Sequence, residues 1–557
     1  MDESTQTNLN PDSAKYHDHL VHLRRSFPQP IASPTHDRWL ASEIIGALTR
    51  IESMKSDRPT LGDRTQGDFS HASAARMPED SSTIPEVFEV LVNYLSGMFL
   101  WGHPQTQSNV IPPPSIPAIL GTLLTTIHNP NLCSEEGSQG VALAEAEVIS
   151  MTAALMGYDP EQSDGVFTFG GTGTLLYAIR IGIEKSCPGT AQHGITDRPV
   201  VLCSDRAHYA TKTAASWLGL GLEQVIAIPS TSEHSMRLDA LQQTLCDVLG
   251  KGQKVAAIIA TMGTTDAFGI DPLEEIRKVR DQVAKRFHLP YLPHLHADAV
   301  IGWAWSVFAD YDFETNPLGF PEKTLDALTQ TNHRVRHLGQ ADSIGVDYHK
   351  TGFASYVSSA IFTKERKDLQ RISRDATLSP YLFQTGDYNP GRFTLETSRS
   401  GSGPMSAIGS LRLLGKTGLR CLLGHLVTVA ADLRDQLSTH PSIVVVNRQN
   451  HGPVTLFRVY PDGIEKTETE IQERNNRNHT AVLRKHNEYN RQIFHQLRSN
   501  ALQGEGTILS MTDCYRESEN GEPIVALKSY IMSPFSDSRS IETLVNSIDQ
   551  ARQAIAT

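Results

Sequence analysis

Between about residue 140 and residue 365, short apolar and β-branched runs alternate with segments whose apolar positions recur every three to four residues. VVLCS, VIAIP, KVAAIIATMG, LPYLPHLHAD and ADSIGVD predict strands, and AHYATKTAASWLGLG and IDPLEEIRKVRDQVAKRF predict helices between them. The second helix has an explicit start. Asp271 is placed to cap it, Pro272 to fill its first turn and Glu274 to complete a capping box, ahead of an apolar face of Leu273, Ile276, Val279, Val283 and Phe287. Apolar strands alternating with helices imply an α/β fold, with a mainly parallel sheet covered on both faces. The first eighty or so residues read as helices joined by polar loops. Beyond about residue 400 the pattern loosens into one long charged helix, TETEIQERNNRNHTAVLRKHNEYNRQIFHQLRS, and the strands VTLFRVY and IVALKSYIM. The expected organisation is an N-terminal helical segment (1–100), a large domain (101–400) and a small α+β C-terminal domain (401–557).

Composition supports this picture and narrows the partners. At 557 residues the chain exceeds what one hydrophobic core organises. With 39% apolar and 20% charged residues it has the balance of a globular protein. A net charge of -12 without a long Lys/Arg run argues against nucleic acid as a partner. The six cysteines form no C-x-x-C pair, which points to a reducing, cytoplasmic setting. The polar start MDESTQTNLNPDSAKYHDHL lacks the features of a signal peptide, and no run is long and apolar enough to cross a bilayer, so no membrane partner is expected.

Candidate chemistry gathers where the predicted strands end. In LPHLHADAVIGW, His294, His296 and Asp298 alternate, so a strand directs all three to one face. That arrangement allows a metal cluster, and with it a metal-dependent hydrolase. In the metallo-β-lactamase pattern, however, a second histidine would follow the aspartate, and here Ala299 stands in that place. In GVFTFGGTGTLLYAIRIGIEK, a strand meets Gly170, Gly171, Thr172, Gly173 and Thr174 before a helix, a turn suited to an anion such as phosphate. His208 lies at another junction, and Gly263, Thr264 and Thr265 follow a third strand. ADSIGVDYHKTGFASYVSSAIFTK sets His349 and Lys350 just past a fourth. A buried lysine there is a nucleophile able to form a Schiff base with a carbonyl cofactor. All these sites converge on one crevice, as a cofactor pocket requires.

In this combination and order, FTFGGTGTLLYAI, AHYATKTAASWLGLG, ATMGTTDAFGIDPLEEI, HADA and D-x-H-K, the chain resembles the group II pyridoxal-phosphate-dependent amino acid decarboxylases, which include the aromatic-amino-acid, tyrosine and glutamate enzymes. The resemblance implies a fold-type-I enzyme that decarboxylates an L-amino acid to the amine and carbon dioxide, with pyridoxal 5'-phosphate as cofactor. It implies that Lys350 forms the Schiff base with the cofactor, that Asp298 pairs with the pyridine nitrogen and that His208 stacks on the ring. Gly171, Thr172 and His349 would hold the phosphate, with Thr264, Val300 and Asp347 completing the cofactor contacts. Tyr381 and Tyr388 are candidates to protonate the quinonoid carbon. The resemblance further implies a homodimer whose N-terminal segment packs on the partner.

Several positions depart from the family pattern. Val300, Ile301, Gly302, Trp303, Ala304 and Trp305 replace a small glycine-rich turn, and the two tryptophans are expected to reshape the pocket wall and favour aromatic substrates. Asp298 lies 52 residues before Lys350, an interval similar to that of bacterial tyrosine decarboxylases. The D-x-H-K segment also resembles sphingosine-phosphate lyases, which makes aldehyde-lyase chemistry an alternative reading. Oxidative deamination coupled to decarboxylation is another, should no tyrosine reach the reacting carbon.

Overall fold

The computed structural model describes residues 11–31, 36–63, 69–375, 377, 380, 386–475 and 477–556. These form two compact units, one running to Leu100 and taking in Leu502–Glu505, the other formed by Trp101–Ala501 and the chain from Gly506 onward. The first unit contains the helices Pro11–Arg24, His36–Ser53, Phe69–Ser73 and Ile84–Leu95, with a short antiparallel pair, β1 (Thr60–Leu61) and β2 (Met98–Phe99). Helix Ile84–Leu95 starts where it does because Thr83 and Glu86 form a reciprocal capping box.

The second unit is built on a seven-stranded sheet of β3 (Asp164–Thr168), β4 (Val200–Ser204), β5 (Val225–Ile228), β6 (Val255–Thr261), β7 (His294–Asp298), β8 (Ser343–Asp347) and β9 (Ser359–Thr363). Its spatial order is β3-β9-β8-β7-β6-β4-β5, with β8, β7, β6, β4 and β5 parallel and β9 running antiparallel to both its neighbours. Alternate residues feed two cores. Ala257 and Ile259 of β6 meet Leu175, Ile179 and Ile183 of the helix Gly171–Ser186, whereas Ile258, Leu295 and Ile344 face the core that holds Trp303, Trp305 and Tyr348. Full burial of each such aliphatic side chain contributes about 1.5–3 kcal/mol, which explains why these strands read as unbroken apolar runs.

The C-terminal part begins with the long helix Ser402–Thr439, which kinks at Gly415, where φ is +54°. It continues into a four-stranded antiparallel sheet of β10 (Ile443–Val445), β11 (Val454–Val459), β12 (Ser510–Glu517) and β13 (Pro523–Tyr530), in the order β10-β11-β13-β12.

Four local expectations need correction. Asp271 does not cap its helix, because its carboxylate accepts from the amides of Met236 and Thr261, each at 2.7 Å; the helix Leu273–Arg286 starts after Pro272 with no side-chain cap. Glu274 instead pairs with Lys278 at 3.2 Å. LPYLPHLHAD is a strand only from His294, since Pro290 and Pro293 lack the N–H a ladder needs. The long charged helix is two, Lys466–Asn475 and Thr480–Leu502, separated by a 3-10 turn at Arg477–His479 in an asparagine-rich stretch of weak helix formers.

Candidate active site

The five parallel-sheet junctions named from sequence do open on one side, at the C-terminal ends of β3, β4, β6, β7 and β8. After β8 the backbone makes a single helical turn, Tyr348–Thr351, and returns as β9, so that Ser359 stands opposite Asp347. This return places three groups on one carboxylate. Lys350 Nζ lies 2.8 Å from Asp347 Oδ2, His349 Nε2 lies 3.6 Å from the same oxygen, and Ser359 Oγ donates to Oδ1 at 2.6 Å. Burial pushes the Asp347 carboxyl up, but Lys350, His349 and the hydrogen bonds from Lys350 and Ser359 outweigh it and hold the group below 3.8.

Asp298 sits at the end of β7, fully enclosed. Burial lifts its carboxyl to about 6; Asp347 adds to the rise, while Lys350 and the Val300 amide oppose it. Its Oδ1 is buried with no hydrogen-bond partner among the described residues. At the end of β3, Gly170 adopts φ +121°, and a Cβ on Gly171 would lie 3.1 Å from both Asp347 Oδ2 and Val300 Cγ1. Only a glycine leaves that floor open. Thr172 follows in the first turn of the helix Gly171–Ser186.

His208 belongs to the same group. Burial lowers its pKa, and among the charges acting on it are Lys350, which adds to the fall, and Asp347, which opposes it. Its ring lies 4.1 Å from that of Tyr209, and its Nδ1 accepts from the Ala210 amide at 3.2 Å. Thr264 is buried, and its hydroxyl staples its own turn by accepting from the amides of Gly269 (2.9 Å) and Ala267 (3.3 Å). His349 Nδ1 lies 2.9 Å from the Ser358 carbonyl oxygen.

Other expectations land elsewhere. Trp303 and Trp305 do not line the crevice: both are buried in the core, Trp303 donating to the Asp347 carbonyl at 3.1 Å and Trp305 lying 4.6 Å from the Phe268 ring. Tyr388 is half-buried with its hydroxyl enclosed beside the Glu145–Arg399 ion pair, where burial and the Glu145 carboxylate raise its pKa well above the ordinary value. Tyr381 lies outside the described residues. His294 and His296 share one face, as the alternation requires, but both imidazoles are tied to Ser343, at 2.7 and 2.8 Å. Among the described residues, no group of three His, Cys, Asp or Glu side chains is placed to hold a metal. The sequence reading missed Tyr356, half-exposed with its ring 3.9 Å from His349, and Ser359, which anchors Asp347. Both stand in the already quoted ASYVSSAIFTK, but the return of β9 that gives them meaning has no local signal.

The arrangement offers an amine, a buried acid with an oxygen unpartnered among the described residues, a partly buried imidazole and a glycine floor at a helix N-terminus. A family model described as the pyridoxal-dependent decarboxylase conserved domain matches residues 69–316, a stretch that includes Gly171, His208, Thr264 and Asp298 and ends before Lys350. The chain is 25% identical over 378 residues to an L-2,4-diaminobutyrate decarboxylase of Acinetobacter baumannii, covering 65% of this chain and 68% of that protein. It is 27% identical over 347 residues to the enzyme of the same name from Rhizobium meliloti (strain 1021), covering 60% and 62%. The solved structure of Oryza sativa TDC with PLP and tryptamine superposes with a TM-score of 0.72 at 15% identity, covering 99% of this chain and 100% of that one, a likeness of fold.

Proposed function

We propose that this chain, whose residues 69–316 match the pyridoxal-dependent decarboxylase family model, is a group II pyridoxal-phosphate-dependent decarboxylase that removes the α-carboxyl group of an L-amino acid as carbon dioxide and leaves the amine. The observation that carries this reading is one crevice holding the Lys350 amine on Asp347 and the buried Asp298 with an unpartnered oxygen. These residues fit pyridoxal 5'-phosphate. The amine suits its aldehyde, Asp298 its ring nitrogen, and the Gly170–Gly171 turn its phosphate. When bound, the cofactor supplies an electron-poor ring that takes up the electron pair left as the carboxyl group departs.

The chain's own residues have distinct tasks in this scheme. Asp347 holds the Lys350 ammonium in place, and Ser359 holds Asp347. Asp298 would keep the ring nitrogen protonated, and His208, its imidazole pKa lowered by burial, would stack on the ring. Tyr356, its ring 3.9 Å from that of His349, is the candidate to wall the substrate or move a proton; Tyr388 stands beside Glu145 instead. With both tryptophans in the core, the case for an aromatic substrate loses its support, and the side-chain preference is a matter for assay.

The protein acts as a homodimer in this proposal. Helix Ile116–His128 leaves Ile116, Ile119, Leu120 and Leu124 exposed on one face, with Ile116 74% accessible, and helix Ile84–Leu95 likewise exposes Val87, Val90, Leu91 and Tyr94. All six cysteines are free, which supports the reducing cytoplasm. Purified protein mixed with pyridoxal phosphate should gain a visible absorbance band that Lys350→Ala abolishes. An amino acid panel should then release carbon dioxide and an amine. Release of an aldehyde instead, with or without carbon dioxide, assigns lyase or oxidative chemistry and overturns the decarboxylase reading.

A further inference from the structure

Beneath Asp298, on the sheet face covered by the helix Gly171–Ser186, runs a buried chain of polar side chains that the proposed chemistry does not use. Lys185 of that helix pairs with Asp368 at 2.5 Å, and its Nζ lies 3.0 Å from His294 Nδ1. His294 Nε2 lies 2.7 Å from Ser343 Oγ, and that oxygen lies 2.8 Å from His296 Nδ1. Asp342 Oδ2 stands 3.9 Å from His294 Nδ1 but is held by Arg280 at 2.7 Å and by the Leu295 amide at 2.9 Å. Asp298 follows two residues after His296, on the same face. Thr261 pairs with Asp298 across the β6–β7 ladder and so shares that face. Among the described residues, His296 Nε2, Asp298 Oδ1 and Thr261 Oγ1 are all buried without a hydrogen-bond partner.

The chain has a direction. An ammonium only donates, so His294 Nδ1 accepts and the ring carries its proton on Nε2, which donates to Ser343. The Ser343 hydroxyl has no other side-chain partner among the described residues, so its own proton goes to His296 Nδ1. His296 is then left with an Nε2–H group. Both rings are neutral: burial pushes His296 down to about 3, and burial with Lys185 alongside holds His294 well below its ordinary value. Three orphaned polar groups at one strand end are the setting in which a buried water is held.

We propose that Asp368, Lys185, His294, Ser343 and His296 form a relay of fixed polarity that presents the His296 Nε2–H group beneath Asp298, where it and the Thr261 hydroxyl order a buried water that holds the Asp298 carboxylate ionised. These are positioning residues acting through Asp298. The consequence for the cofactor rests on the function proposed above; the polarity of the relay does not.

The test is nitrogen-detected NMR of histidine tautomers in the cofactor-free protein, followed by titration with pyridoxal phosphate. Both His294 and His296 should carry their proton on Nε2, and Lys185→Arg, which keeps a donor, should preserve that pattern. The double variant Lys185→Met/Asp368→Asn removes the charge pair together and should shift His296 away from the pure Nε2–H form. Its affinity for pyridoxal phosphate should fall about tenfold, the loss of one hydrogen bond to a charged group. His296 protonated on Nδ1 in the wild type, or an unchanged tautomer in the double variant, overturns the relay. A shifted tautomer with unchanged cofactor affinity overturns its link to Asp298. Wild-type protein with the expected tautomers that binds no pyridoxal phosphate refutes the cofactor reading while supporting the polarity.

Discussion

Replacing Asp298 by Asn should move the cofactor-free and cofactor-bound proteins in opposite directions. Burial, reinforced by Asp347 and opposed by Lys350, lifts this carboxyl from 3.8 to about 6. The folded state therefore binds the proton more tightly than the unfolded chain does. Stability falls as pH rises from the unfolded value toward the folded one, and above that the whole cost is present. About two pH units at 1.36 kcal/mol each make the cost about 3 kcal/mol. Asn has nearly the same shape without the charge, so the cofactor-free variant should gain up to about 3 kcal/mol at about pH 8 and almost nothing at about pH 4. With pyridoxal phosphate the sign reverses, because the carboxylate now has a cationic partner, and the variant should bind the cofactor at least about tenfold more weakly. Urea unfolding of both proteins at both pH values, with and without cofactor, reads every one of these differences. A cofactor-free variant less stable than wild type at about pH 8, or a gain indifferent to pH, refutes the reasoning.

Other sites give sharper single readouts. Glu145→Gln leaves the buried Arg399 guanidinium without its two-point partner, at 2.6 and 2.9 Å, and should cost about 3–5 kcal/mol in chemical denaturation. Gly171→Val fills the floor between Asp347 and Val300, so cofactor affinity measured by absorbance titration should fall far more than stability does. Ser359→Ala removes the 2.6 Å donor to Asp347 and should destabilise by about 1.5–3 kcal/mol at neutral pH. Since the Asp347 carboxyl is held low, that loss should shrink as pH falls through its folded value, which denaturation at acid pH will show.

The strands that build the crevice were legible because each is buried on both faces and therefore reads as an apolar run. Asp298, Lys350 and His208 were legible because they stand at the ends of such runs. What escaped depends on contacts distant in sequence. Asp271 has the local form of a cap, but two backbone amides from other elements claim it. β9 looks like the tail of the lysine motif until Ser359 is seen opposite Asp347. Trp303 and Trp305 look like pocket wall by their place after Asp298, yet a 3-10 turn, Gly302–Phe308, folds them into the core. The alternating histidines were rightly placed on one face, while the serine that joins them comes from β8, 47 residues beyond His296.

The most direct test of the central claim is to reduce the cofactor-loaded protein with borohydride, digest it and locate the attached group by mass spectrometry. The account predicts a single pyridoxyl group on Lys350, on the peptide that also carries Asp347 and His349. Attachment to a different lysine, or a loaded protein that takes up none, contradicts it.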